Sequence, residues 1–239
     1  MTRTYRGRAL LAIGATVALI AGIAAAQETI PIGLTIHVKV TPDKAGTRAH
    51  PQGITIDVKA KLKIPEAYEP PLVDTVDVWF PRNGIYNGNK FPTCSQSTLA
   101  RRGPKACPAG SIMGHGTVKA TADTVFTYPK VTIVNGGQSR VYFYTVLNNP
   151  ARVQTPVPGI ITKLSSGPWA YKLHTDIPRN LQIVAGIPIV ARSARFHAGR
   201  GDWIASTSCP SDHYWRYHVE LTFTSGQIKR YNGRVPCRS

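Results

Sequence analysis

The chain has 239 residues, with 29 Lys+Arg against 12 Asp+Glu and a formal charge of +17. That length suffices for a core that buries ~70% of the unfolded surface. Carboxylates are too scarce for acid pairs to be common, and past the first 26 residues no apolar run approaches the ~20 residues of a membrane-spanning helix.

Arg3, Arg6 and Arg8 form a charged start, followed by an apolar run from Ala9 to Ile23 and the small residues Ala24, Ala25 and Ala26. This is the pattern of a secretory signal peptide over residues 1–26, with Gln27 as the first mature residue. The expectation is an exported chain, secreted or associated with the cell envelope, with one domain over residues 27–239. Removing the three signal arginines leaves about +14 of the formal +17. A cationic exported protein is drawn to anionic envelope polymers or phospholipid surfaces. The basic residues are spread along the chain, so a solvated surface without a dedicated partner is the plainer alternative.

The dominant hydrophobic period is two. Leu34, Ile36, Val38 and Val40 alternate with Thr35, His37, Lys39 and Thr41. Ile54, Ile56, Val58, Ala60 and Leu62 alternate with Thr55, Asp57, Lys59, Lys61 and Lys63. Each run predicts a half-buried strand, with the lysines of the second on its wet face. The stretch 66–72, flanked by Pro65 and containing Pro70 and Pro71, reads as a loop. Further strands are expected over 73–80, 112–122, 125–134, 140–147, 169–174, 181–196, 203–206, 213–224 and 227–235. Val141 to Tyr144 is apolar on both faces, as in a strand covered on both sides. Asn135-Gly136-Gly137, Asn148-Asn149-Pro150 and Ser225-Gly226 read as turns. One short helix is expected over 95–102, capped by Ser95 and stopped by Gly103-Pro104. Many short strands with Gly/Pro-rich connections predict an all-β fold, an antiparallel β-sandwich with one short helix.

In an exported chain the four cysteines read as two disulfides. Of three connectivities the local one is expected, Cys94 with Cys107 around the short helix and Cys209 with Cys237 around the last hairpin. The absence of Cys-x-x-Cys spacing argues against a metal site.

The cysteine segments carry a resemblance. The first runs Phe91-Pro92-Thr93-Cys94-Ser95, Leu99, Cys107-Pro108, Ser111, Gly114, Gly116-Thr117. The second runs Cys209-Pro210, Trp215, Val219, Leu221, Phe223, Gly226, Val235-Pro236-Cys237. Together they resemble an uncharacterised family of secreted, disulfide-containing β-sandwich proteins from high-GC Gram-positive bacteria. The resemblance implies a sandwich fold, export and the two local disulfides. It implies no activity, and residues 118–202 carry no part of it.

No catalytic constellation stands out. Gly110-Ser111-Ile112-Met113-Gly114 lacks the central Ser of a nucleophile elbow, and Ser111 fits a turn entering a strand, with Gly114 and Gly116 easing close backbone approach. Arg200-Gly201-Asp202 reads as a turn. Trp215 and Tyr217 are in phase with Val219, Leu221 and Phe223, on the core face. Trp79, Trp169 and Trp203 fit core or sheet cover better than a ligand platform. A basic surface, with Lys59, Lys61, Lys63 in one group and Arg216, Lys229, Arg230 in another, points to a non-enzymatic binding or structural module. No cofactor is expected, no nucleic-acid fold signature is present, and the chain reads as a monomer. The competing class is a secreted hydrolase assembled from distant loops, with His115, Asp202, Asp212 and His213 as candidates. A self-associating structural protein of the cell surface is a third reading.

Overall fold

The computed structural model describes residues 29–239; the expected signal peptide lies outside them. The strands are β1 (Gly33–Thr41), β2 (Gln52–Gly53), β3 (Thr55–Lys63), β4 (Val73–Pro81), β5 (Gly84–Tyr86), β6 (Ile112–Ala122), β7 (Val125–Thr127) and β8 (Lys130–Asn135). They continue with β9 (Arg140–Leu147), β10 (Val153–Lys163), β11 (Trp169–Asp176), β12 (Ile183–Val184), β13 (Ile187–Ala198), β14 (Ile204–Ser206), β15 (Tyr214–Phe223) and β16 (Ile228–Pro236).

The all-β expectation holds, but the sandwich does not. Eleven strands form one hydrogen-bonded path, β1-β3-β13-β6-β8-β9-β10-β11-β4-β15-β16. β7 and β12 hang from β6 and β13, and β2-β14-β5 form a small separate sheet. A sandwich requires its ladder to be interrupted between two layers. Here the ladder runs unbroken, and the first and last strands come to lie side by side. The result is a nearly closed barrel. Alternation in sequence reports which face a residue takes; a sandwich and a barrel share that pattern.

Every pairing along the path is antiparallel. With an odd number of strands, the first and last must then run in the same direction. The seam between β1 and β16 is parallel, and its one ladder contact, Lys44 with Arg238, is a parallel bridge just beyond the strand ends. Side chains bind the rest of it. The Tyr231 hydroxyl donates to the Ile36 carbonyl at 2.8 Å, and the Tyr217 hydroxyl approaches the same oxygen at 3.4 Å. Tyr217 reaches the seam by lying over Gly233, where an added Cβ would strike its ring.

The alternation of β1 and β3 sets the inside and outside of the barrel. Ile36, Val58, Ala60 and Leu62 meet Val76, Val78, Val219, Leu221 and Phe223 in the main core. A second cluster joins Met113, Ile133, Val141 and Trp203 with Phe143 and Phe196. In β1 and β3 the apolar residues face inward and Thr35, His37, Lys39, Lys59, Lys61 and Lys63 face outward, the reverse of the alternation in strands that span a membrane. Among the described residues no helix is long and apolar enough to cross a membrane.

Helix α1 (Gln96–Arg102) forms as expected, with the Ser95 hydroxyl accepting from the Thr98 N–H and Gly103 closing it. Its Leu99 is fully buried against Val134, Tyr142 and Tyr144, while Val141 and Phe143 face inward, so β9 is covered on both sides. A second helix, the single turn α2 (Arg179–Gln182), adds to the one expected. β10 has no counterpart among the expected strands. Pro156 and Pro158 lie where β10 pairs with β9 alone; pairing with β11 begins at Gly159. Two residues apart, both prolines turn the same way, so neither removes a ladder bond from a strand paired on both sides.

Candidate anion-binding face

Register builds the site. Strand β3 is flanked by β1 and β13, and β13 by β6. One outward row reads His37, Lys59, Arg195 and Thr117; the next reads Thr35, Lys61, Ser193 and Lys119, and Lys63 lies opposite Gly33 one step further. Alternate residues on a strand repeat at ~6.7 Å and adjacent strands lie ~4.8 Å apart, so these cations form a lattice. Arg192, beside a register shift between Ala191 and Ser193, joins it, and its Nε donates to the Thr121 hydroxyl.

None of Lys59, Lys61, Lys63, Lys119, Arg192 or Arg195 is ion-paired with a carboxylate among the described residues. The carboxylate nearest in register, Asp57, accepts from His197 Nδ1 at 2.8 Å. His115 stands directly across from His197 on β6. Gly114 and Gly116 allow this close pairing: a Cβ on Gly114 would collide with the His197 carbonyl, and one on Gly116 with the Phe196 ring. Lys119 Nζ sits 3.8 Å above the Phe126 ring.

The second basic group is different. Arg216 is bound to Asp212 at 2.6 Å and Arg230 to Glu220 at 2.8 Å. Hydrogen bonds hold both acids below the usual carboxylate range, that of Arg216 on Asp212, and those of His218 and then Arg230 on Glu220. Lys229 has the opposite phase and lies across from Leu221. The structure therefore gathers Lys59, Lys61 and Lys63 with cations from neighbouring strands, whereas Arg216 and Arg230 are already neutralised.

The hydrolase candidates are not assembled. Asp202 is held by Lys90 Nζ at 3.1 Å and approached by Asn87 Nδ2, and Asp212 by Arg216. His213 occupies a left-handed turn with φ 59°, its carbonyl accepting from the Cys237 N–H. No hydrogen bond or ion pair joins any two of His115, Asp202, Asp212 and His213 among the described residues. Nor is any group of three or more His, Cys, Asp or Glu arranged to hold a metal among them. Ser111 is fully buried, its hydroxyl donating to the Pro108 carbonyl.

Both expected disulfides form, Cys94–Cys107 and Cys209–Cys237, and no cysteine is free. Trp203 and Trp215 are core residues. Trp79 and Trp169 sit around His218 on the outside, with Lys172 above Trp79.

His37, Lys119, Arg192, Arg195 and His197 were not among the expected site residues. The alternation Ser193, Arg195, His197 was the available signal for β13, but its place beside β3 depends on sheet order. No protein-family model, curated protein or solved structure matches this chain. What stands of the family resemblance is its coarse content, a β-rich domain held by two local disulfides.

Proposed function

We propose that this protein is an exported, non-enzymatic module that holds an anionic polymer of the cell envelope on the outer face of β1, β3, β13 and β6. One observation carries the reading: six cations converge on that face and none is neutralised by a carboxylate among the described residues. Desolvating and crowding like charges is unfavourable, so such a face gains from a ligand that supplies the counter-charge. Export rests on the signal-like first 26 residues and agrees with the disulfides, which persist in oxidising compartments. The test is binding of the purified mature chain to envelope fractions. Binding at low ionic strength that salt releases supports the reading; indifference to envelope material even at low salt ends it.

A further inference from the structure

Three of the five exposed large hydrophobic residues among the described residues lie in one short segment: Val125, Phe126 and Tyr128, at 55%, 49% and 56% exposure. This is the β6–β7 hairpin and the residue after it. β7 pairs only with β6 and stands off the barrel path. Phe126 lies across from Thr121 on the outward side, and Val125 lies across from Ala122 on the opposite side. The hairpin is thus apolar on both faces. Core packing does not account for it, because neither residue belongs to any core cluster; Phe126 instead carries the Lys119 ammonium over its ring.

The hairpin also adjoins the cationic face. Phe126 lines the same open depression as Lys61, Lys63, Lys119 and Arg192. Antiparallel register puts the end of β3, the start of β13 and the end of β6 at one end of the barrel, and the hairpin projects from it. We infer that this end docks on an anionic phospholipid surface, with Val125, Phe126 and Tyr128 entering the headgroup–acyl boundary and the surrounding cations meeting lipid phosphates. Apolar insertion and electrostatic attraction together produce stable peripheral binding where either alone is marginal. A soluble polyanion would use the cations but leave the hairpin in water. Two acids oppose the docking, Glu66 in the same depression and Asp123 in the hairpin turn. Asp123 makes a direct probe: its φ of 55° is tolerated by Asn, so Asp123→Asn removes one charge with little cost to the turn.

The inference rests on the reading of the basic face as the contact surface, and one set of measurements separates the two. Binding is measured at low ionic strength to vesicles of phosphatidylcholine, to equimolar phosphatidylcholine and phosphatidylglycerol, and to soluble polyphosphate. The expected result is binding to the mixed vesicles well above that to phosphatidylcholine. Val125→Ser/Tyr128→Ser, which leaves Phe126 under Lys119, should weaken vesicle binding by about tenfold or more and leave polyphosphate binding unchanged. Asp123→Asn should tighten vesicle binding about threefold. Lys61→Ser/Lys63→Ser should weaken both. If the double serine variant does not fold, Tyr128→Ser and Asp123→Asn carry the test. Unchanged vesicle binding in the hairpin variants, or binding to polyphosphate but not to vesicles, overturns the membrane inference and leaves the polymer reading standing. Binding to neither probe overturns both.

Discussion

The Tyr231 hydroxyl bonds the Ile36 carbonyl at 2.8 Å, joining the last strand of the barrel to the first where no ladder does. A parallel pairing follows from the odd strand number, and here side chains replace most of it. Tyr217 stacks beside Tyr231, ring centroids 6.2 Å apart, and Asp43 takes Arg238 at the far end of the seam.

Tyr231→Phe should therefore destabilise the fold by about 1 kcal/mol, the net value of such a bond. The double variant with Tyr217→Phe should cost more than Tyr231→Phe alone, because the second hydroxyl can no longer serve the Ile36 carbonyl. Urea midpoints measure both; no change in either variant would mean the seam hydroxyls are dispensable.

Burial, with the neighbouring Tyr231, pushes the Tyr217 hydroxyl up to about 12 from its usual value of 10.0. The folded state holds this proton more tightly than the unfolded one. Its contribution is fully present below pH 10 and is lost as pH rises through about 12. Stability should decline over that window, and Tyr217→Phe should flatten the decline. An unaltered pH profile in that variant would contradict the assignment.

Asn135 is fully buried, and its amide N–H groups face the Gly88, Phe91 and Pro92 carbonyls. Its carbonyl oxygen accepts from Trp203 Nε1 and the Tyr86 hydroxyl. Asn135→Ala strands several buried partners and should cost about 3 kcal/mol or more. Asn135→Asp should be worse, since it sets a carboxylate against three carbonyls. A loss under 1 kcal/mol for alanine, on a scale where ~1 is typical for any substitution, would show that water replaces the side chain.

Each disulfide should contribute about 3 kcal/mol, with Cys209–Cys237 slightly ahead because its loop is longer; the separations are 28 and 13 residues. Comparing Cys94→Ser/Cys107→Ser with Cys209→Ser/Cys237→Ser by denaturation tests the order. A non-reduced peptide map linking Cys94 to Cys209 or Cys237 would contradict the topology.

Much of the β content was legible because period-two alternation is local. The outward placement of Lys59, Lys61 and Lys63 could be read from Val58, Ala60 and Leu62 between them. What depended on distant pairing was not legible. Arg195 enters the site only because β13 pairs with β3, across more than a hundred residues of chain. β10 was hidden by Pro156 and Pro158, which argue against a strand unless one edge is free. Asn135, in Asn-Gly-Gly, has the composition of a turn, and only the fold shows its amide buried under the loop from Gly88 to Pro92. Closure was invisible for the same reason: nothing local in Ile36 or Tyr231 says that they meet.

The proposed function requires the cation lattice on β3 and its neighbours to bind polyanions. Its most direct test is the affinity for soluble polyphosphate as a function of salt, in the wild type and in Lys59→Ser/Lys61→Ser/Lys63→Ser. Counter-ion release makes log affinity fall linearly with log salt, steeper when more cations engage. The wild type should bind tightly at low salt, and the triple variant more weakly with a shallower slope. No binding at low salt, or equal affinity and slope in the two proteins, would contradict it.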